Sequence, residues 1–372
     1  MTAAEAPARD TGAGAAGPAG AADGGRGSGG RRVLALAQSP GLGGLYARAG
    51  LASGRAAVGG PVRRALGGRP AGSGPSATAG APGSAAALPA VEHRLGGVVP
   101  DPARLTAYQH LVGEPATDVL PAGFVHVLAF PVAIALIVRP DFPMPPLGIV
   151  HLANRVEQRS PLRVGEALDV RAWAQDLQPH RKGAQVELVA EVRRAGAPAD
   201  APPAWRGVST YLAPGVRVPG PAPDEPPAWR GVSTYLAPGV RVPGPEPEDG
   251  ARPEFVAPVP TGRWAFDAAA GRRYAAVSGD ANPIHLHPLT ARALGFPRAI
   301  AHGMLTAARA LADVGARRGE AYAWDVEFAS PVLLPSSPAV RVAAAGDGAW
   351  TVTAWDAARG RPHLTAEVRT LG

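Results

Sequence analysis

Residues 274–306 read YAAVSGDANPIHLHPLTARALGFPRAIAHGMLT, and in this stretch a carboxylate, an imidazole and a helix start follow one another closely. Asp280 and His285 stand around Asn282-Pro283. A proline holds the residue before it to extended or turn backbone, so the pair is expected on an irregular segment. About seventeen residues further on, His302-Gly303 opens an apolar, Ala-rich run from Met304 to Val314 that stops at Gly315, a residue suited to ending a helix. The first N–H groups of a helix have no acceptor within it and face whatever lies beyond its start. An acid/base pair beside such donors is what addition or removal of water next to a thioester carbonyl requires, because negative charge builds on the carbonyl oxygen.

Three pieces of this stretch, Ser278-Gly279-Asp280, Asn282-Pro283-Ile284-His285 and Ala301-His302-Gly303-Met304, resemble the signature of the MaoC-like, (R)-specific enoyl-CoA hydratases. The resemblance implies an α+β hot-dog fold, in which an antiparallel sheet wraps a long central helix. It further implies that Asp280 activates a water, that His285 shares this water and shuttles its proton, and that the Gly303 backbone N–H holds the thioester oxygen. The substrate would be an acyl thioester of coenzyme A or of a carrier protein, with no cofactor and no metal. The other outcomes for such a fold are a non-catalytic acyl-thioester binding or scaffold subunit and an acyl thioesterase.

A lone D-x-N-P-x-H could be nothing more than a turn held by Asx-type hydrogen bonds, and the AHGM run that follows is what tips the reading toward catalysis. Asn282 is read as holding the loop through side-chain to backbone bonds, with Ser278 and Gly279 shaping it. Asp280, His285 and His287 also have a spacing that metal ligands can adopt. His287, however, precedes Pro288, a favoured first helical residue, and is more simply a helix-entry residue before Leu289 to Leu294. His302 is expected to pack at its helix entry. His126, His151 and His180 have no partner set visible in the sequence.

Composition narrows the remaining choices. Of the formal +7 charge, residues 1–90 carry nine Arg against three acids, leaving 28 basic and 27 acidic residues in 91–372. With no basic run interleaved with aromatics in the body, a nucleic-acid partner is not expected. Cysteine is absent, which excludes disulfides and thiol chemistry. No secretory pattern opens the chain, since Arg9 and Asp10 fall where one needs apolar residues, so a cytoplasmic location is the default. Val125 to Val138 is the most apolar run, but its fourteen residues fall short of the roughly twenty a bilayer span needs. It is read as a buried core element.

Residues 1–90 are dominated by Ala, Gly, Pro and Ser and are read as mostly disordered, with helical turns at Val33 to Ala37 and Leu45 to Ala52 as the minor alternative. From about Val91 the order is a helix near Arg104 to Leu111, the apolar element at 122–138, and strands at Ile149 to Glu157, Ala167 to Gln175 and Gln185 to Arg193. The order recurs after Thr261, with a helix at 303–314 and strands near Ala323 to Phe328, Ala339 to Ala344, Trp350 to Asp356 and His363 to Thr370. The recurrence fits a double hot-dog, two units in one chain acting as a pseudo-dimer, either alone or paired again as a homodimer. The expected division is a tail at 1–90, a first unit at 91–215 without the catalytic motif, a Pro-rich linker at 216–255 and a catalytic unit at 256–372.

The sequence PPAWRGVSTYLAPGVRVPGP occurs at Pro202 to Pro221 and again at Pro226 to Pro245, offset by 24 residues. Each copy holds one strand-like segment and only one strand slot is expected. The first copy lies nearer the strand it would pair with and is favoured, leaving the second to lengthen the linker.

Overall fold

The computed structural model describes residues 22–26, 30–45, 87–144, 149–180, 183–198, 200–214, 216, 218 and 255–371. The first unit begins with strand β3 (Val91–Val98) and helix α1 (Pro102–Val112). Asp101 caps α1, its carboxylate accepting from the Ala103 N–H at 2.9 Å, with Pro102 at the first helical position. Helix α2 (Ala122–Ile137) is apolar on every side and buried along nearly its whole length, as a helix with no polar face must be. Strands β4 (Val150–Gln158), β5 (Leu168–His180), β6 (Gly183–Arg194) and β7 (Trp205–Pro214) wrap it.

The second unit repeats the plan. Short strand β8 (Gly262–Arg263) precedes helices α3 (Ala270–Ser278), α4 (Pro283–Leu286) and α5 (Pro288–Ala293), then the central helix α6 (Gly303–Val314). Strands β9 (Tyr322–Phe328), β10 (Ala339–Ala344), β11 (Ala349–Asp356) and β12 (Arg361–Thr370) complete it. One sheet runs through both units in the order β3-β5-β6-β7-β4-β9-β12-β11-β10-β8, every one of these pairings antiparallel. This is the double hot-dog architecture. The units join at β4 and β9, whose ladder runs from Ala153 opposite Glu327 to Gln158 opposite Tyr322.

The two central helices meet through small residues. A Cβ on Gly123 of α2 would lie 3.4 Å from the Ala308 Cβ of α6 and would run into the Tyr108 hydroxyl of α1. Ala307, Ala308 and Ala310 are all buried on α6. Glycine and alanine at this crossing let the α2 and α6 backbones approach, which brings the start of α6 beneath residues of the first unit.

Several expectations are corrected here. Part of the tail is structured: β1 (Ala22–Arg26) pairs with β2 (Arg32–Ala35), and β2 pairs parallel with the open edge of β3. Val33 is therefore buried in a strand and not in a helical turn. A short turn at 42–45 buries Leu42 and Leu45, and the Leu42 side chain lies against Gly279, 3.2 Å from where a Cβ there would stand. The rest of the tail, including residues 46–52, lies outside the described residues. The segment before Asp280 is helical, and His285 sits on the one-turn helix α4 that Pro283 initiates, so only residues 279–282 of the site are irregular. The first copy of the repeat forms β7, and the second copy lies outside the described residues. The apolar run at Val125 to Val138 lies almost wholly within α2, and among the described residues no helix is long and apolar enough to cross a membrane.

Candidate active site

Helix α3 ends where the site begins. Gly279 terminates it with φ 79°, the left-handed conformation a glycine adopts at low cost. The freed carbonyls at this end are met from the other unit: Arg104 of α1 donates from Nε to the Val277 carbonyl at 2.6 Å and from Nη2 to the Ser278 carbonyl at 3.3 Å. Ser278 Oγ accepts from the Asp280 N–H at 3.1 Å, and Asp280 Oδ1 accepts from the Asn282 N–H at 3.2 Å. Asn282 caps α4, Oδ1 accepting from the Ile284 N–H at 3.4 Å. Ser278, Gly279 and Asn282 thus act on the backbone around Asp280, as expected of loop-shaping residues.

His285 is buried on α4, and its Nδ1 lies 2.9 Å from the Ile300 carbonyl, so Nδ1 carries the proton and Nε2 keeps its lone pair. The seat of α4 depends on Gly271 in α3, because a Cβ there would run into the His285 carbonyl oxygen. Burial pushes the His285 imidazole down to about 3, with further lowering from His302 and partial compensation by Asp280. A neutral imidazole with a free Nε2 lone pair follows.

His302 belongs to the same cluster, which the sequence reading did not anticipate. Its ring stacks on His285 with centroids 3.7 Å apart and touches Tyr274 at 4.8 Å. Its Nε2 donates to the Asp280 carbonyl at 2.9 Å and lies 3.8 Å from Asp280 Oδ2. Burial lowers its pKa as well. Asp280, His285 and His302 each offer a ligand-type atom within 4.8 Å of the others, so any metal set here would include His302. His287 is exposed and spends its Nδ1 accepting from the Leu289 N–H at 3.1 Å, capping α5.

Gly303, the first residue of α6, follows His302 directly and places the helix start at the cluster. A Cβ on Gly303 would stand 3.2 to 3.5 Å from three atoms of the Phe328 ring, so glycine lets β9 close against this end of the helix. Phe328 in turn packs on His151 of β4, ring centroids 5.1 Å apart, and His151 stacks on Tyr211 of β7 at 4.6 Å. The Asp280 charge is felt by His126, His151, Tyr211 and Tyr274. His151, which looked unpartnered in the sequence, therefore reaches the wall of the site through Phe328, and His126 packs on Trp205 within range of the Asp280 charge. The signal of His126 was faint: it is a lone polar residue on an otherwise apolar helix, and besides Phe130 one turn on, its ring partner is the distant Trp205.

An ionisable carboxylate, a neutral imidazole and helix N–H donors in one buried place can deprotonate a water and hold a developing oxyanion.

Comparisons with known proteins give the family. Residues 247–360 match a family described as the MaoC like domain. Over 271 residues, 73% of this chain and 86% of the relative, the sequence is 36% identical to 3-hydroxyacyl-thioester dehydratase X of Mycobacterium tuberculosis. The crystal structure of HtdX from M. tuberculosis is similar with a TM-score of 0.60 and 34% identity, covering 75% of this chain and 100% of that one. A MaoC-like dehydratase from Phytophthora capsici is similar in fold, with a TM-score of 0.54 and 20% identity over 75% of this chain and 95% of that one.

Proposed function

We propose that this chain, which belongs to the MaoC-like dehydratase family and is a hydro-lyase, interconverts a (2E)-enoyl thioester plus water with the (3R)-3-hydroxyacyl thioester. The observation that carries the proposal is the meeting of Asp280, His285 and the start of α6 in one cluster. In the hydration direction the Asp280 carboxylate accepts a proton from the water while the His285 Nε2 lone pair orients it. The water oxygen bonds to C3 as the C2–C3 π electrons move toward the carbonyl. The resulting enolate oxygen faces the Gly303 N–H at the positive end of α6. Collapse of the enolate takes up at C2, on the same face, the proton that Asp280 accepted, so the elements of one water are added and Asp280 is left ionised. Dehydration retraces these steps.

His302 acts through its neighbours. Its Nε2–H holds the Asp280 carbonyl and its ring fixes the face of His285, which makes it a positioning residue. Arg104 and Gly271 have the same standing, one fixing the end of α3 and the other the seat of α4.

The test is product analysis. Purified protein is given crotonyl-CoA and a longer 2-enoyl-CoA, and the enoyl absorbance, the C3 configuration and any free acid are measured. The expected product is the (3R)-hydroxyacyl thioester. Free acid would mean a thioesterase, and a folded protein without turnover would mean a binding or scaffold subunit.

A further inference from the structure

The chain leaves the catalytic cluster at His285 and returns to it at Ile300. The Ile300 N–H donates to the Ile284 carbonyl at 3.1 Å, and the Ile300 carbonyl meets His285 Nδ1 at 2.9 Å. Residues 286–299 are therefore an excursion with both ends pinned at the site, and α5 lies on it. Within α5 only Ala291 is buried. Leu289 and Ala293 are four residues apart, as are Thr290 and Leu294, so each pair shares a side of the helix, and all four residues are exposed. Leu289 is 64% exposed and Leu294 49% exposed, and they are the only exposed leucines among the described residues.

The same excursion is fringed by cations that the protein does not neutralise. From Trp264 to Ile300 the chain has four arginines and two acids. Asp267 pairs with Arg273 at 2.8 Å, and Asp280 belongs to the catalytic cluster. Among the described residues no carboxylate lies in ion-pair range of the other three arginines. Arg272 donates instead to the Leu286 carbonyl at 3.2 Å, Arg292 to the Pro297 carbonyl at 3.1 Å and Arg298 to the Pro335 carbonyl at 3.4 Å. A carbonyl engages one of the five N–H donors of a guanidinium, so these bonds tether the cations at the excursion and leave their charge in place.

An apolar strip edged by unneutralised guanidinium groups is complementary to a protein surface that sets carboxylates around apolar side chains. The phosphates of coenzyme A would use the arginines but leave the leucines in water. We infer that the outer face of residues 286–299 docks an acidic acyl carrier protein, so that the thioester reaches Asp280 and His285 on the carrier's pantetheine arm. The inference rests on the thioester reading of the site and names the partner that delivers its substrate. A patch of this size suits a partner that must leave after each turnover.

Hydration by the full chain is compared, at low and high salt, for crotonyl-pantetheine, crotonyl-CoA and a crotonyl-loaded, recombinant acidic acyl carrier protein. The carrier-borne thioester should have a KM about tenfold below that of crotonyl-CoA and lose this advantage at high salt, as screened charge pairs do. Leu289→Ser and Arg292→Glu should each raise the carrier KM about tenfold. Both should turn over crotonyl-pantetheine as the native chain does, which also verifies their fold. The inference is overturned if the carrier and pantetheine thioesters have equal KM in the native protein. It is equally overturned if Arg292→Glu weakens crotonyl-CoA as much as the carrier while Leu289→Ser weakens neither, since the arginines would then form a phosphate site. Calorimetry with the unacylated carrier protein needs no turnover. Binding that Leu289→Ser weakens, in a chain that hydrates nothing, would contradict the hydration reading and uphold the docking face; hydration of the small thioesters without such binding would overturn the docking face alone.

Discussion

At the scale of single residues, the site is held by neighbours that never touch the reacting carbons. His302→Phe keeps a ring against His285 but removes the donor to the Asp280 carbonyl. Its kcat should fall about tenfold, less than for a displaced catalytic group because the ring still backs His285, with KM changing much less. Equal kinetics with a lowered melting temperature would make His302 a packing residue only. The His285 imidazole is pushed down to about 3 by burial, so it is neutral throughout the range in which an ordinary histidine titrates. The profile of kcat/KM against pH should therefore lack an acidic limb near 6.5, and a limb there abolished by His285→Gln would contradict the assigned state. Asp280, His285 and Gly303 were legible in the sequence because they lie within one short stretch with distinctive neighbours. His302 was legible as a helix entry and not as a partner, since its stacking on His285 depends on how α4 and α6 are folded together. His126, His151 and Arg104 were not legible, because they meet groups far off in the chain: Trp205 for His126, Tyr211 and Phe328 for His151, and the Val277 carbonyl for Arg104.

At the scale of elements, α3 and α4 aim the pair. Their contact is closed by Gly271, where even a methyl group would meet the His285 carbonyl. Gly271→Ala raises local helix propensity by up to about 1 kcal/mol, yet it must push α4 and His285 away from the start of α6. The expected result is a folded protein with turnover reduced about a hundredfold, because small misplacements of catalytic groups are that costly. Unchanged turnover would mean that α4 can move without cost. Most strands were foreseen to within a few residues from β-rich runs and turn signals. The misses have local causes. β2 is four residues long within an Ala/Gly-rich tail, and it is held by pairing with β1 on one side and with the edge of β3 on the other. The alternation of β3 is interrupted by Gly96-Gly97. α3 reads as irregular because it begins without a side-chain cap and ends at Gly279.

For the whole molecule, recurrence of helix and strands in the sequence was enough to expect two units sharing a sheet, and the β4–β9 ladder joins them. What recurrence could not tell is that the first unit lends side chains to the second unit's site. The same arrangement buries several neutral histidines. His126, His151 and His285 are pushed by burial to about 4, 3 and 3, below the ordinary value of 6.5. Between pH 6.5 and about 4 the unfolded chain binds protons that the folded chain refuses. Stability is therefore highest above pH 6.5 and falls as pH drops, by up to about 1.4 kcal/mol per pH unit for each such histidine. Urea midpoints should decline steadily from pH 7 to pH 5, and a flat series would show that these imidazoles are protonated in the folded state.

The central claim is that the α6 start, with Asp280 and His285, is the catalytic centre and that the α2 start, entered through Leu120-Pro121 without an Asp/His pair, is not. The most direct test is the rate of crotonyl-CoA hydration by Asp280→Asn, with the fold verified by circular dichroism. The account predicts that turnover falls by a factor of about 100 to 10,000, the range for loss of a general base. Retention of about half the native rate would point to a second working centre, and retention of the full rate would mean that Asp280 is not the base.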